Sequence, residues 1–387
     1  MSQVVVKETS PLEALSQPSN DISISVRSGE ILVHITKLSI TANTVTYSLV
    51  GRHSLKTFEH FPVPNPKYAS VPAWGVGVVT SSKNASVPVG TRLQGYYPMR
   101  KHIILTPSKV KRKQFEDTAS HRAALIPAYR TYRMIQQPAT KDQEQMENLL
   151  LTDALLFSTG WGCAQQGLEM GGNTILITSA SSRTSLTAAF SAQHHKMFQE
   201  VIGVTSARNV TFVKSTGLYD TVCTYDDIAG SLGYKDGRKV VVYDMAGNRE
   251  AKLKIRQHFG EAVVDYASVG QTTVSVNDAN PLGRGMPVDA NGGAKEKGFL
   301  VFHALAAASK KYGQNRMASM LTDAQKAYCV WKLPHFQTMN LYGVEGLLRV
   351  WRDTVDNKAL AGISYMCSLW ETPEDAEPWT FNTGSHL

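Results

Sequence analysis

The apolar positions change period twice along the chain. Over the first 110 residues they fall in short β-rich runs, such as Glu30 to Ile35 (EILVHI), Gly75 to Thr80 (GVGVVT) and Thr91 to Tyr96 (TRLQGY), separated by clusters of Gly, Pro, Ser and Asn. That pattern predicts a compact, barrel-like β domain. Near residue 120 the spacing becomes helical. His121 to Met134 and Asp142 to Met170 are expected as helices, with Pro138 as the break between them and Gly171-Gly172 as the stop.

From Thr174 strands and helices alternate. The apolar run Thr174 to Thr178 (TILIT) passes through a Ser-rich turn into an alanine-rich helix, Thr184 to Met197. Further apolar strands are expected at Val201 to Thr205, Thr221 to Tyr225, Lys239 to Asp244 and Ala262 to Tyr266, with a helix at Glu250 to Phe259. Strands apolar on both faces and joined by helices imply a parallel sheet covered on each side, because only that arrangement buries both faces of each strand. The expected fold class is therefore α/β, a β-rich domain plus a doubly wound, Rossmann-type nucleotide-binding domain. Val269 to Gly298, rich in Gly, Asn, Asp and Pro, is expected as a long surface excursion. Beyond it come an apolar run (Phe299 to Ala307), helices at Asn315 to Trp331 and Val344 to Lys358, and a strand at Ala361 to Leu369. A helix followed by a strand this late implies that the chain returns to finish the first domain. The expected boundaries are 1–135 for the β-rich domain, 136–305 for the nucleotide-binding domain and 306–387 for the return.

Length and composition agree with this. At roughly 150 residues per domain the chain holds two or three domains, and its 42% hydrophobic and 9% aromatic content excludes disorder. No run approaches the roughly eighteen consecutive apolar residues of a membrane span, and the N-terminus lacks the basic-then-apolar order of a secretory signal, so a cytoplasmic address is expected. Cys163, Cys223, Cys329 and Cys367 lie far apart with no CxxC pair, which predicts reduced, buried thiols rather than a zinc knuckle or a disulfide framework. The net charge of +8 favours anionic ligands in general. Its one dense patch, Lys109, Lys111, Arg112 and Lys113, reads as a solvated loop, and no aromatic interleaving supports a nucleic-acid partner.

The turn after the first parallel strand is where a dinucleotide fold cradles pyrophosphate on backbone amides and a helix N-terminus. Here it reads Ser179-Ala180-Ser181-Ser182-Arg183-Thr184-Ser185, without the usual glycines. Small residues still permit close approach, Ser hydroxyls can cap the helix and donate to phosphate, and Arg183 adds positive charge. Ser181, Ser182, Arg183 and Thr184 are thus candidate cofactor-binding residues. The competing reading is a serine-rich helix cap with no ligand. At the end of the second strand, Thr205-Ser206-Ala207-Arg208-Asn209 holds no carboxylate for a ribose 2′-hydroxyl. Ser206 and Arg208, with Lys214 and Tyr225 as second contacts, suit a 2′-phosphate and point to NADP over NAD. The alternative is a set of solvated turn residues.

The order of β domain, doubly wound domain and return resembles the medium-chain dehydrogenase/reductase superfamily, in particular its zinc-free quinone-oxidoreductase and enoyl-reductase branch. Gly29 to Ile35 (GEILVHI) is similar to that family's early "GEVLV" strand, and Gly75 to Val79 followed by Val87 to Gly95 to its "G-x-V... VGDRV-G" segment. Thr174 to Ala192 is similar without a gap to "VLVxGASGGVGxxAxQLA", with Ser179, Ser182 and Ser185 where glycines usually stand. A little-characterised branch with "TSASS-basic-T" and "TSxRN" is the nearest likeness. Ser39 to Gly51 matches "GxNxxDxYxxxG" loosely, with Tyr47 where a pocket tyrosine often stands, Val45 in place of the aspartate, and the asparagine absent or displaced to Asn43.

What the resemblance implies is a GroES-like β domain, NADPH across the carboxyl ends of the parallel strands, and hydride transfer to an activated alkene, quinone or ketone in an interdomain cleft. Tyr47 is the implied acid or oxyanion donor, against a packed structural tyrosine. Asp244 to Asn248 (DMAGN), including Gly247, is the implied neighbour of the nicotinamide ribose, with Asp244 equally readable as a turn or capping residue. No Cys, His or Glu constellation suits catalytic zinc. The alternatives are a non-redox isomerase, lyase or cyclase on the same scaffold, and a non-catalytic binding protein. The expected partners are a small-molecule substrate and, as a candidate, a second copy of the chain; no membrane is expected.

Overall fold

Ile31–Ile40 (ILVHITKLSI), buried along nearly its whole length, is the hub of the β-rich part of the chain. One edge pairs antiparallel with Pro72–Ser82; the other takes His102–Leu105 near its start and Ile363–Cys367 near its end. In the computed structural model, which describes residues 2–19, 25–49, 51–52, 56–123, 125, 127–233, 236–245, 247–269 and 296–377, these strands belong to one of two compact units. The first comprises Met1–Thr152, Gln337–Ala359 and Ile363–Leu387; the second comprises Asp153–Phe336 and Leu360–Gly362. Residues 306–336, expected in the return, thus fall in the second unit.

In the first unit the main sheet runs, in spatial order, Gln337–Leu341, Ile363–Cys367, Ile31–Ile40, Pro72–Ser82, Arg92–Pro98, Thr131–Ile135 and Gln114–Glu116. Strands of the C-terminal segment thus lie in this sheet, and aromatic side chains tie the segment to the rest of the first unit. The Trp370 indole donates to the Ile35 carbonyl at 2.9 Å, and the Trp351 indole to the Leu12 carbonyl at 2.8 Å. The helix expected over His121 to Met134 does not form. That stretch is two single turns, Ser120–Arg122 and Pro127–Tyr129, and the strand Thr131–Ile135. Pro127 interrupts any helix there. The buried Arg122 guanidinium then locks the turns by donating to Asp117 (3.0 Å), to the Tyr132 hydroxyl (2.7 Å) and to the Tyr129 carbonyl. The basic patch is an exposed tight turn in which Lys111 and Gln114 exchange backbone hydrogen bonds around Arg112 and Lys113, both at positive φ.

The second unit is built on β1 (Thr174–Thr178), β2 (Glu200–Thr205), β3 (Thr221–Thr224), β4 (Val240–Asp244), β5 (Val263–Ser268) and β6 (Glu296–Gly298). All neighbours are parallel, in the order β3-β2-β1-β4-β5-β6. Its helices include α1 (Lys141–Glu169) from Asp153 onward, α2 (Arg183–His194), α3 (Val210–Ser215), α4 (Arg249–Phe259), α5 (Val301–Tyr312) and α6 (Gln314–Lys332). Every residue of β1, β2 and β4 is buried, as strands covered on both faces require. Of the expected excursion, 270–295 lie outside the described residues. Its last three residues are not loop; they form β6, paired with Tyr266, Ala267 and Ser268.

α1 and α2 approach closely at Gly160. A Cβ there would lie 2.2 Å from Thr187 Oγ1 and 2.4 Å from the Ala188 backbone nitrogen, and backbone cannot swing aside. The Thr187 hydroxyl also donates to the Leu156 carbonyl across the same contact, at 3.0 Å. Gly160→Ala is therefore expected to destabilise the protein by about 1–3 kcal/mol through overpacking. Denaturant unfolding checks this, with unchanged stability counting against close packing at this contact.

Candidate functional site

The strand order decides where a ligand can sit. β1 and β4 are neighbours at the centre of the sheet, but the chain leaves β1 toward β2 on one side and β4 toward β5 on the other. With right-handed crossovers, the helices that follow them fall on opposite faces and a crevice opens beyond the carboxyl ends of the two strands. Two turns border it, the Ser-rich one after β1 and Asp244 to Asn248 after β4. They are joined directly. The Thr178 hydroxyl donates to Asp244 Oδ1 at 2.6 Å and accepts the Met245 N–H at 2.9 Å, while Asp244 Oδ1 also accepts the N–H of Gly247 at 3.1 Å. Gly247 has φ 68°, a conformation glycine adopts freely. Asp244 is thus the turn residue of its two readings, and Asn248 caps α4 by accepting the Ala251 N–H at 3.1 Å.

Three serines stand where the related fingerprint has glycines, and each has a separate task. Ser179 keeps the left-handed backbone at φ 50°, and its N–H donates to the Tyr225 hydroxyl at 2.8 Å. Ser182 is the N-cap of α2 and accepts the Ser185 N–H. The buried Ser185 donates to the Thr178 carbonyl at 2.9 Å, so the 2.7 Å contact between the Ser182 and Ser185 oxygens must use the Ser182 proton. The Ser182 hydroxyl is therefore occupied within the turn. Ser181 differs. One amide, Asn209 Nδ2, donates to Ser181 Oγ at 3.0 Å and to Ser206 Oγ at 3.2 Å, filling an acceptor site on each and leaving both hydroxyl protons to donate elsewhere. Thr184 lies half-buried in the first turn of α2, where N–H groups have no intrahelical acceptor and the helix dipole is positive.

The structure thus brings Ser181, Ser182, Thr184, Ser206, Tyr225 and Gly247 into one hydrogen-bonded neighbourhood around the two turns. Arg208 and Lys214 are exposed, on the single turn after β2 and on α3. Burial pushes the Tyr225 phenol up to about 12, keeping it a neutral partner for the Ser179 amide. Arg183 makes contacts on the inner side of the turn. Its Nη1 lies 3.4 Å from Asp153 Oδ1 and its guanidinium packs over the Phe336 ring, 5.2 Å from the centroid. The Lys332 ammonium and the Tyr328 hydroxyl (3.0 Å) both bond Asp153 Oδ2. Burial pushes Lys332 down to about 8, against the opposing pull of Asp153. Burial also acts to raise Asp153, but Lys332 and Arg183 outweigh it and hold the carboxyl below its usual range. Asp153, Lys332 and Asn209 had no role in the sequence reading. Asn209 sits within the quoted TSARN segment and was within reach; Asp153 and Lys332, 179 positions apart, were not.

Tyr47 belongs to the first unit, on the helix Ala42–Leu49, and is 4% exposed. Its ring stands edge-on to Tyr96 (5.5 Å) and Tyr129 (6.0 Å), with Trp74 tilted against Tyr96 at 4.9 Å. Burial raises its phenol, and hydrogen bonding from Tyr129 and Asn43 opposes this only in part, so it is a protonated donor at neutral pH. Asn43, one turn back on the same helix, is one of the hydrogen-bond partners of Tyr47. All four cysteines are buried and free of disulfides. Among the described residues no group of three or more His, Cys, Asp or Glu side chains is placed to hold a metal ion, and no helix is long and apolar enough to cross a membrane.

Over residues 38–359 the chain matches DUF2855, a family described as proteins of unknown function, and it belongs to that family. No curated protein matches it. Among solved structures it is similar to CurA from Vibrio vulnificus in complex with NADPH, at 14% identity over 96% of this chain and 100% of that one, with a TM-score of 0.62. A mycobacterial protein complexed with NADPH aligns at 16% identity over 94% and 99% of the two chains, with a TM-score of 0.56. The quinone oxidoreductase from Coxiella burnetii aligns at 12% over 95% and 98%, with a TM-score of 0.52. At these identities the likeness establishes the fold alone, the one shared with these three structures.

Tyr225→Phe removes the acceptor of the Ser179 amide while keeping the ring. It is expected to cost about 0.5–1.5 kcal/mol, the net worth of one hydrogen bond at a part-buried site. Equal melting temperatures for the variant and the parent would show that water replaces the phenol.

Proposed function

We propose that the protein binds NADPH at the Ser-rich turn and acts as a zinc-independent reductase of an activated alkene, quinone or ketone. The observation that carries this reading is the turn itself. At the switch point of the sheet it keeps the left-handed Ser179 backbone, and Asn209 leaves the Ser181 and Ser206 hydroxyl protons to donate. A turn that served only as a helix cap has no use for those two protons. The NADPH complexes of proteins with this fold support the choice of ligand.

In this reading Ser181, Thr184 and the first-turn amides of α2 hold the diphosphate, with Ser182 keeping that turn in shape. Ser206, Arg208 and Lys214 take the 2′-phosphate, since no carboxylate stands at the end of β2 to prefer a free ribose hydroxyl. The Gly247 turn, fixed by Asp244, borders the nicotinamide ribose. Bound there, the cofactor supplies a hydride to the substrate. Tyr47, kept protonated by burial, is the acid that stabilises or protonates the resulting enolate.

NADPH is expected to raise the melting temperature and NADH to do so far less. Arg208→Ala should weaken NADPH binding by about 1–3 kcal/mol, the range for losing a charge-assisted hydrogen bond, and leave NADH nearly unchanged. Equal loss for both cofactors contradicts the assignment of Arg208. Ser182→Asp retains a side chain able to cap α2 but places negative charge at the cradle. It should still fold, melting below the parent because the proton given to Ser185 is lost, and lose NADPH binding; tight binding by this variant sinks the cradle. Substrate turnover without cofactor oxidation instead favours the isomerase, lyase or cyclase reading.

Metal independence is tested separately. Activity should survive prolonged chelation, and elemental analysis should find far less than one zinc per chain. Stoichiometric zinc lost together with activity overturns it.

A further inference from the structure

Beside Tyr47 the first unit buries a second tyrosine hydroxyl that the resting protein leaves idle. Tyr96, on the strand Arg92–Pro98, is 0% exposed, and its hydroxyl oxygen is closed to solvent and makes no hydrogen bond among the described residues. The residue itself is firmly placed. It is the cross-strand partner of Trp74, whose ring lies 4.9 Å away, and its backbone carbonyl accepts the Tyr132 hydroxyl at 2.7 Å. A buried hydroxyl without a partner forfeits the bonds that water gave it, a cost that phenylalanine at the same place would avoid.

The neighbours of Tyr96 narrow what its hydroxyl can serve. Tyr47 stands edge-on to it at 5.5 Å, Tyr129 lies tilted at 5.1 Å, and His60 stands edge-on at 5.7 Å. Arg122 also acts on Tyr96, with its own guanidinium bonded to Asp117 and Tyr132. Burial holds the Tyr96 phenol well above its ordinary value, so it keeps its proton. Toward Tyr47 it acts in the lowering direction, as Tyr129, Asn43 and Trp74 do, which is the sense expected of a donor aimed at a phenolate. Between the two neutral phenols, however, the bond is not closed. A donor that engages its neighbour only once that neighbour is an anion stabilises the charged state more than the neutral one.

We propose that Tyr96 is a positioning residue for proton transfer from Tyr47: its hydroxyl is idle while Tyr47 is a neutral phenol and donates to the Tyr47 oxygen when that oxygen becomes a phenolate. The proposal rests on the reductase reading above and adds to it the group that bears the charge left behind. In that reading the enolate formed from the substrate takes the Tyr47 proton. The O–H electron pair stays on the Tyr47 oxygen, which now carries the negative charge, and water returns the proton afterwards. Tyr96 keeps its own proton throughout.

Tyr96→Phe keeps the ring and removes only the hydroxyl, and two measurements on the full chain need neither cofactor nor substrate. In thermal melts the variant should match or exceed the parent, because an unbonded buried hydroxyl is lost. A clearly lower melting temperature shows that the hydroxyl is bonded in the resting protein and overturns the proposal. Fluorotyrosine placed at position 47 reports its own ionisation by fluorine NMR, and Tyr96→Phe should raise that ionisation by about one to two pH units, the size of a hydrogen bond to a charged group. An unshifted titration overturns the proposal as well. With NADPH and para-benzoquinone as the probe, Tyr96→Phe should lower kcat about tenfold with KM nearly unchanged, and it should slow Tyr47→Phe no further. Wild-type turnover with those kinetic effects missing sinks only the role of Tyr96. A wild type that binds no NADPH in calorimetric titration removes the reductase reading, and the proposal with it.

Discussion

The hydrogen bond between Thr178 and Asp244 is the constraint on which the second unit's site depends. It joins the last residues of the two central strands, where the chain diverges to the two sides of the sheet. Asp244 is almost wholly buried, and its two oxygens serve several partners. Oδ1 accepts from Thr178 and the Gly247 amide, and Oδ2 lies 3.4 Å from Lys252 Nζ. Lys252 also reaches Glu296 at 2.7 Å, so the same network fixes β6 beside β5. In a low-dielectric setting such a set is favourable only when every member is satisfied, which leaves the two bordering turns little freedom.

With that anchor in place, the glycine-poor turn becomes intelligible. A serine at φ 50° costs roughly 1–2 kcal/mol relative to an ordinary backbone angle, and the bond from its amide to Tyr225 offsets part of the cost. Ser182 and Ser185 then use their hydroxyls within the turn, where glycines would contribute only small size. The result is a turn held by side-chain hydrogen bonds instead of by backbone freedom. Replacing its serines one at a time disturbs different bonds, so they are not interchangeable.

The charge of the protein is also local in its effect. A net +8 says only that anions are favoured. What converges in one place is a helix N-terminus, two hydroxyls bonded by Asn209 and an arginine in contact with Asp153, a carboxylate that Lys332 also bonds. The exposed Lys111 to Lys113 turn carries more charge per residue but has no such convergence.

Periodicity alone placed most of the second unit's strands to within a residue or two, because strands buried on both faces must be continuously apolar and helices between them must be amphipathic. The turn after β1 and the absence of a carboxylate after β2 were equally legible, since those are local facts. Where reading failed, long-range contacts were responsible. Thr131–Ile135 became a strand because Arg92–Gln94 and Gln114–Glu116 pair with it, and Glu296–Gly298 left its polar surroundings because β5 offered an open edge. In the same way Arg183 could be named as a cation at the turn, but not as a cation already engaged. Asp153 lies 30 residues from Arg183, and Lys332, which bonds the same carboxylate, lies 179 residues from Asp153. One-dimensional pattern carries the identity and period of residues; which buried charges share a counter-ion is set only when packing excludes water and brings distant positions together.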